Sequence, residues 1–452
     1  MRRLFRVVLA AAAMSAAMSA AAFADGWTQE GSTWVYYTNG YKVTNEWKTS
    51  KDGGYYYLDG SGNMAVNAFV DDDRFVGSDG RMVTSSWRQI DSKWYYFDGS
   101  GKMIRDKSKQ INGVYYFFDV DGAMATGWVQ DGSGNWYYCD PADGHSYTNV
   151  WKNLVPSEEM NIDDTDDDVF MSADGSYWFY FQSTGKLAAA TDETYKEFTI
   201  NGNRYAFDRY GRMMTGWVKL KDTVPVIAGY KFYNNDASIG AFGAAHTGWL
   251  SILPPEKEET FGNEVVWYYF DTKGVPYYGT DVSTGDDDET LLVKLKRITK
   301  NGKTNTFLFN DLGNPVYGLR KVQRTDGTQT SMYFGTKAES CLQLGEKNIT
   351  EADGTTWPYH YESNGYGTNG VKNGKLYYMG KLQKAIDNSY AYYTVNGKTY
   401  LVNKSGSLVK KLNTKKDPGE VDYRSNAEGI RDGGTADVEA PLVPEFNMTD
   451  RQ

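Results

Sequence analysis

The chain has 452 residues but only two cysteines, Cys139 and Cys341, and three histidines, His145, His246 and His360. No histidine pairs with a cysteine or with another histidine. The sequence therefore offers no zinc site and no Ser/His or Cys/His nucleophile. Two thiols about 200 residues apart do not make a disulfide framework, and they read as unpaired apolar fillers. An excess of basic charge is also missing: 48 Lys and Arg face 58 Asp and Glu, for a net charge of −10. Such a surface repels polyanions and argues against a nucleic-acid partner. Cationic or neutral ligands remain compatible with it.

Beyond the first residues, no apolar run approaches the ~20 residues that cross a bilayer. The exception opens with Arg2, Arg3 and Arg6 and continues as an Ala-rich stretch from Val7 to Ala22, closed by Ala22-Phe23-Ala24. Residues 1–24 read as a secretory signal peptide, removed after Ala24. The expected location is secreted and cell-surface associated, with no membrane insertion after cleavage.

Aromatic residues and glycine are plentiful. The aromatic fraction is 15%, with 36 Tyr, 13 Trp and 48 Gly. They recur in one phrase, Trp87-Arg-Gln-Ile-Asp-Ser-Lys-Trp94-Tyr-Tyr-Phe-Asp98-Gly-Ser-Gly101-Lys-Met103. Its turn glycines, Gly40, Gly62, Gly80, Gly101, Gly122 and Gly144, are spaced 22, 18, 21, 21 and 22 residues apart. Methionine follows two residues later in Met64, Met82, Met103 and Met124. Runs of β-formers bounded by Asp, Ser, Asn and Gly read as β-hairpins. Alternation puts Trp94 and Tyr96 on one face and Tyr95 and Phe97 on the other. A unit of this length cannot bury its own apolar face. The predicted fold is therefore all-β, a β-solenoid of stacked β-hairpin repeats of about 20 residues.

The rhythm is regular over residues 25–151. Over 152–412 it continues in Gly216-Trp217, Trp267-Tyr-Tyr-Phe270 and Gly406-Ser-Leu408, but longer insertions intervene. These residues read as divergent repeats with loop insertions. Residues 413–452 hold Pro418, Pro441 and Pro444 and few aromatics, and read as a polar C-terminal tail or terminal cap without folded structure of its own.

The phrase Gly127-Trp128-Val-Gln-Asp-Gly-Ser-Gly-Asn-Trp136-Tyr137-Tyr138 resembles the cell-wall-binding, or choline-binding, repeats of Gram-positive surface proteins. The resemblance is strong from Gly26 to Trp151 and fades toward Leu412. It implies a β-solenoid whose neighbouring hairpins cage the quaternary ammonium of choline on teichoic acid. Similar repeats occur in glucan-binding regions of glucosyltransferases and in receptor-binding tails of clostridial toxins. The implied partner is thus a cell-wall teichoic acid or glycan, with choline as one candidate ligand and no cofactor. Carried onto this chain, the cage pattern points to Trp27 and Trp34 with Tyr56, and to Trp87 and Trp94 with Tyr115. Trp128 and Trp136 form a pair without an assigned third wall. Where the family's aromatic run begins with Trp, this chain has Tyr55, Phe75, Val114, Arg204 and Lys231, so only a minority of interfaces are expected to hold choline.

Three acidic runs, Asp71–Asp73, Asp163–Asp168 and Asp286–Asp288, read as solvated loops. In the middle run Val169 and Gly175 stand where a calcium loop needs Gly and Glu, and no metal is expected. Repeat echoes occupy the region where a catalytic domain would sit, so the chain reads as a non-enzymatic binding protein. Two alternatives stand beside that reading. One is an adhesin that stacks glycans without choline, and the other is a wall hydrolase with its active site in the insertions after Asn153.

Overall fold

A computed structural model describes residues 25–162, 169–191, 195–255, 264–279, 291–292, 295–300, 302–324, 326–414 and 421–446. The expected leader and the acidic runs 163–168 and 286–288 lie outside the described residues. The protein is all-β. Among the described residues, helix is confined to two short 3-10 turns, Glu158–Met160 and Val226–Gly229. Among the same residues no helix is long and apolar enough to cross a membrane. The chain divides into two units. The first runs to Lys152 and includes Phe179–Ala188; the second comprises Asn153–Trp178 and Ala189–Gln452.

In the first unit, antiparallel hairpins follow one another along the chain. Gly26–Glu30 pairs with Thr33–Thr38, Glu46–Thr49 with Tyr55–Leu58, and Ala68–Val70 with Arg74–Val76. Ser86–Ile90 pairs with Lys93–Phe97, Lys107–Ile111 with Val114–Phe118, and Gly127–Gln130 with Trp136–Cys139. The tight turns use positive φ: Asn112 stands at 51° and Gly113 at 84°, the pair that a two-residue hairpin turn requires.

A second turn closes each repeat. In three of these repeats an opening Asp accepts from the backbone two and four residues on. Asp98 Oδ1 takes the N–H of Ser100 at 2.8 Å and of Lys102 at 3.0 Å; Asp59 and Asp119 repeat the pattern, and Asp131 makes the same bonds in the turn inside its own hairpin. The chain then returns as a single bridging residue. Met64, Met82, Met103 and Met124 bridge Leu58, Val76, Phe97 and Phe118 of their own hairpins. Each also donates its N–H to the preceding hairpin: Met64 to Trp34 O, Met82 to Tyr55 O, Met103 to Asp73 O and Met124 to Trp94 O, at 2.6–2.8 Å. Consecutive hairpins are stapled through the backbone.

Side chains lock the same joint. The methionine of one repeat lies under the turn glycine of the next, Met64 under Gly80, Met82 under Gly101 and Met103 under Gly122. The recurring Gly-x-Met spacing is explained by this contact between neighbours. The strand-ending residues Leu58, Val76, Phe97 and Cys139 are fully buried. The core is accordingly a row of small clusters, such as Phe75, Val83, Phe97 and Met103. Cys139 fills one strand-ending position as a small apolar side chain. Both it and Cys341 are free and buried, in keeping with unpaired fillers.

The second unit keeps the hairpin theme. Lys196–Ile200 pairs with Asn203–Phe207, Gly216–Lys219 with Tyr230–Tyr233, Gly248–Ile252 with Val266–Phe270, and Lys296–Lys300 with Lys303–Phe307. Toward its end the sheets widen. Gly345–Thr350 and Thr356–Tyr361 join three short strands in a five-stranded sheet.

The segment expected as an unfolded tail is folded where it is described. Val438–Glu439 pairs in parallel with Tyr392 and Tyr393, and Tyr423–Ser425 pairs with Arg431–Gly434. Gln383, fully buried, exchanges two hydrogen bonds with the backbone of Leu442, at 2.9 and 2.7 Å. Lys381 donates to Glu351 at 2.7 Å and to Val443 O at 3.0 Å. Ala436, Tyr423, Leu442 and Phe446 pack into clusters of the second unit, but they are spaced without strand periodicity, so the segment's composition carries little sign of docking.

Candidate functional site

The site begins with strand alternation. In the hairpin of Ser86–Ile90 and Lys93–Phe97, Trp87 lies opposite Tyr96 and Gln89 opposite Trp94. Trp87, Trp94 and Tyr96 therefore share one face. Phe97, on the other face, is fully buried, while Trp94 is 42% exposed. The first face forms a notch that the next hairpin completes. Trp87 meets Tyr96 at 5.2 Å, Tyr116 at 4.9 Å and Phe118 at 5.6 Å between ring centroids. Ile104, Ile111 and Met124 pack beneath these rings.

The expected third wall here is Tyr115, and the structure corrects it by one residue. Tyr115 lies opposite Gln110 and Tyr116 opposite Lys109, so the two rings occupy opposite faces. With a side-chain period of two, a slip of one residue exchanges the faces. Tyr116 is the repeat equivalent of Tyr56. At the first notch Trp27 meets Tyr36 at 5.3 Å and Tyr56 at 5.4 Å, edge to face. Trp34 lies opposite Gln29 on that same face. The indole N–H of Trp27 is buried without a hydrogen-bond partner among the described residues. At the third notch Trp128 and Trp136 stand 6.2 Å apart at 89°, and the third wall is Phe179, 5.0 Å from Trp128.

Two further notches, in the second unit, are not singled out by sequence reasoning. Trp249 meets Trp267 at 6.3 Å and 80°, Tyr269 at 5.2 Å and Phe307 at 4.9 Å. Trp217 meets Tyr230 at 6.2 Å and 88°, and Tyr268 at 5.0 Å. Gly216-Trp217 and Gly248-Trp249 carry the signal. The insertions between the strands of each hairpin hide the pairing of Trp217 with Tyr230 and of Trp249 with Trp267. Trp267, at 51% exposure, occupies the repeat position of Trp94.

Charged groups sit where some repeats lack the aromatic. Glu197 receives Lys231 at 2.8 Å, Arg204 at 3.7 Å and the Tyr233 hydroxyl at 2.7 Å. Around the third notch, burial first and the Asp140 carboxylate second push the Tyr147 phenol up to about 12. The phenol stays neutral, and the Lys152 ammonium lies over its ring. Asp71 and Asp73 are engaged by Arg74 at 3.9 and 3.2 Å. Among the described residues no group of His, Cys, Asp and Glu is arranged to hold a metal ion.

Such notches present ring faces at steep angles, with little hydrogen-bonding capacity at their centre. That arrangement suits a cation without N–H donors, or the flat face of a sugar.

The repeats have counterparts in known proteins. Residues 41–81 and 107–151 match family models described as choline-binding repeat, and residues 85–103 match one described as putative cell wall binding repeat. Glucosyltransferase-S of Streptococcus mutans is 32% identical over 199 residues, covering 42% of this chain and 13% of that protein. The chain thus spans a small part of that relative. Among solved structures, choline binding protein F of Streptococcus pneumoniae is 18% identical, with 77% of this chain and 98% of that chain covered and a TM-score of 0.34. The choline-binding domain of CbpL from the same organism is 25% identical, with 42% and 97% covered and a TM-score of 0.27. The autolysin LytC of Streptococcus pneumoniae is 18% identical, with 66% and 54% covered and a TM-score of 0.36.

Proposed function

From the choline-binding and cell-wall-binding repeats at residues 41–81, 85–103 and 107–151, we propose that the chain is an exported, non-enzymatic protein that holds on to cell-wall polymers. Within each unit the stapled hairpins form a length of β-solenoid. Aromatic notches between consecutive hairpins take the quaternary ammonium of choline carried by teichoic acid. The Trp87, Trp94 and Tyr116 notch carries the reading: two Trp and a Tyr on facing surfaces of adjacent repeats, with one Trp open to solvent.

A quaternary ammonium has no donor to offer, so ring faces supply the attraction, about 0.5–2 kcal/mol per well-placed ring. One such site is weak. Several on one chain, facing a polymer with repeated headgroups, raise the residence time through effective concentration. The test is retention on a choline resin with elution by free choline. Trp87→Ala is expected to elute at distinctly lower choline than the wild type. Retention that free choline does not reverse would overturn the reading.

A second reading follows from the match to Glucosyltransferase-S. Exposed Trp94 and Trp267 offer flat faces on which a glucan ring could stack. Elution from an immobilised glucan by soluble glucan, and not by choline, would favour it.

A further inference from the structure

The aromatic notches differ in one respect: at some, a lysine of the chain already covers a ring that adjoins the notch. At the third notch the Lys152 ammonium stands 3.9 Å from the centroid of Tyr147. Tyr147 stacks on Tyr138 at 5.4 Å and 14°, and Tyr138 meets Trp128 at 5.1 Å. At the Trp249 notch the Lys296 ammonium stands 4.2 Å from the centroid of Tyr277 and donates to the same residue's hydroxyl. Tyr277 adjoins Tyr269 at 5.5 Å and Phe309 at 6.1 Å, and both rings pack on Trp249.

The two tyrosines occupy one repeat position, three residues after the turn glycines Gly144 and Gly274. At the Trp87 notch that position is Ile104, which is 3% exposed and presents no ring for a lysine to cover. The Trp27 notch is intermediate. Its Lys48 ammonium lies 5.3 Å from Tyr36 and is drawn toward Glu46 at 2.7 Å.

We propose that Lys152 and Lys296 act as tethered occupants of their notches, taking ring faces that a choline headgroup would otherwise use. The inference rests on the reading that the notches accept quaternary ammonium. A ring face stabilises one cation at a time, and a second cation a few ångströms away is repelled. A tethered ammonium also competes at high effective concentration, whereas choline must arrive from solution. The sites are therefore graded. The Trp87 notch is open, while the Trp128 and Trp249 notches are closed to choline by the chain itself. The two lysines set the specificity, favouring neutral sugars or polymers with fewer cationic headgroups at those repeats.

The experiment is calorimetric titration of the full chain with choline chloride. Lys152→Gln keeps much of the aliphatic stem and removes the charge, and it is expected to add one choline site to the wild-type number. Lys296→Gln is expected to add another. Lys152→Arg keeps a cation over the ring and is expected to add none, which a purely steric or packing role for the lysine would not produce. An unchanged number of sites and unchanged affinity in both Gln variants overturns the inference. A gain in Lys152→Arg equal to that in Lys152→Gln overturns it as well. Trp87→Ala reads the underlying proposal separately, because it should remove one site from the wild type. If it removes none while Lys152→Gln still adds one, the Trp87 reading fails and the lysine inference stands.

Discussion

Gly101 stands at φ +82°, and a Cβ there would lie 2.6 Å from Met82 Sδ. Two separate penalties meet at this residue, the left-handed backbone and the missing space. Gly101→Ala is expected to destabilise the first unit by ~2–4 kcal/mol, read from the denaturant midpoint. Phe97, fully buried in one cluster with Phe75 and Met103, should cost ~3–5 kcal/mol on truncation to Ala by the same measurement. At this scale the sequence is informative about residue types and less so about faces. Trp27, Trp34, Trp87, Trp94, Trp128 and Trp136 can be read from the phrase, because each opens a unit or an aromatic run. Tyr115 and Tyr116 are chemically identical neighbours, and only the pairing register tells which of them faces Trp87.

Several repeats are a hairpin followed by an Asp-anchored turn. The turn's carboxylate is titratable, so the element has a pH dependence. Burial raises the affinity of Asp98 for a proton, but hydrogen bonds from Ser100 and Lys102 outweigh it and hold the carboxyl below its usual value. Asp131, in the turn inside its own hairpin, is lowered in the same way, against burial, by Asn135 and Ser133. A carboxyl depressed in the folded state adds stability above its unfolded value, near 4, and loses it as pH falls through the folded value. Thermal unfolding followed by circular dichroism should show stability falling below about pH 4, and Asp98→Asn should flatten part of that fall. Hairpins and turns are legible in advance, because β-formers bounded by Asp, Asn and Gly leave few alternatives. The notches at Trp217 and Trp249 are not, because insertions such as Asp222 to Gly229 separate strands that pair in space.

For the molecule as a whole, the tail is the main revision. Residues 421–446 belong to the second unit, where Leu442 and Val443 satisfy Gln383 and Lys381. A chain ending at Gly419 would leave those buried groups without these partners and is expected to lose ~2–3 kcal/mol or more of second-unit stability. Limited proteolysis is the readout: the truncated chain should be cut within residues 345–412, where the full chain resists. A polar segment containing proline carries no periodic signal, since it attaches through backbone carbonyls and amides and a few scattered side chains, Tyr423, Ala436, Leu442 and Phe446.

The methionines beneath the turn glycines give the fold a chemical vulnerability. A sulfoxide oxygen on Met82 or Met103 has no room under Gly101 or Gly122. Peroxide is therefore expected to prise neighbouring repeats of the first unit apart without touching any aromatic ring. Because sulfoxide reductases return the thioether, the loosened joint would close again once they act.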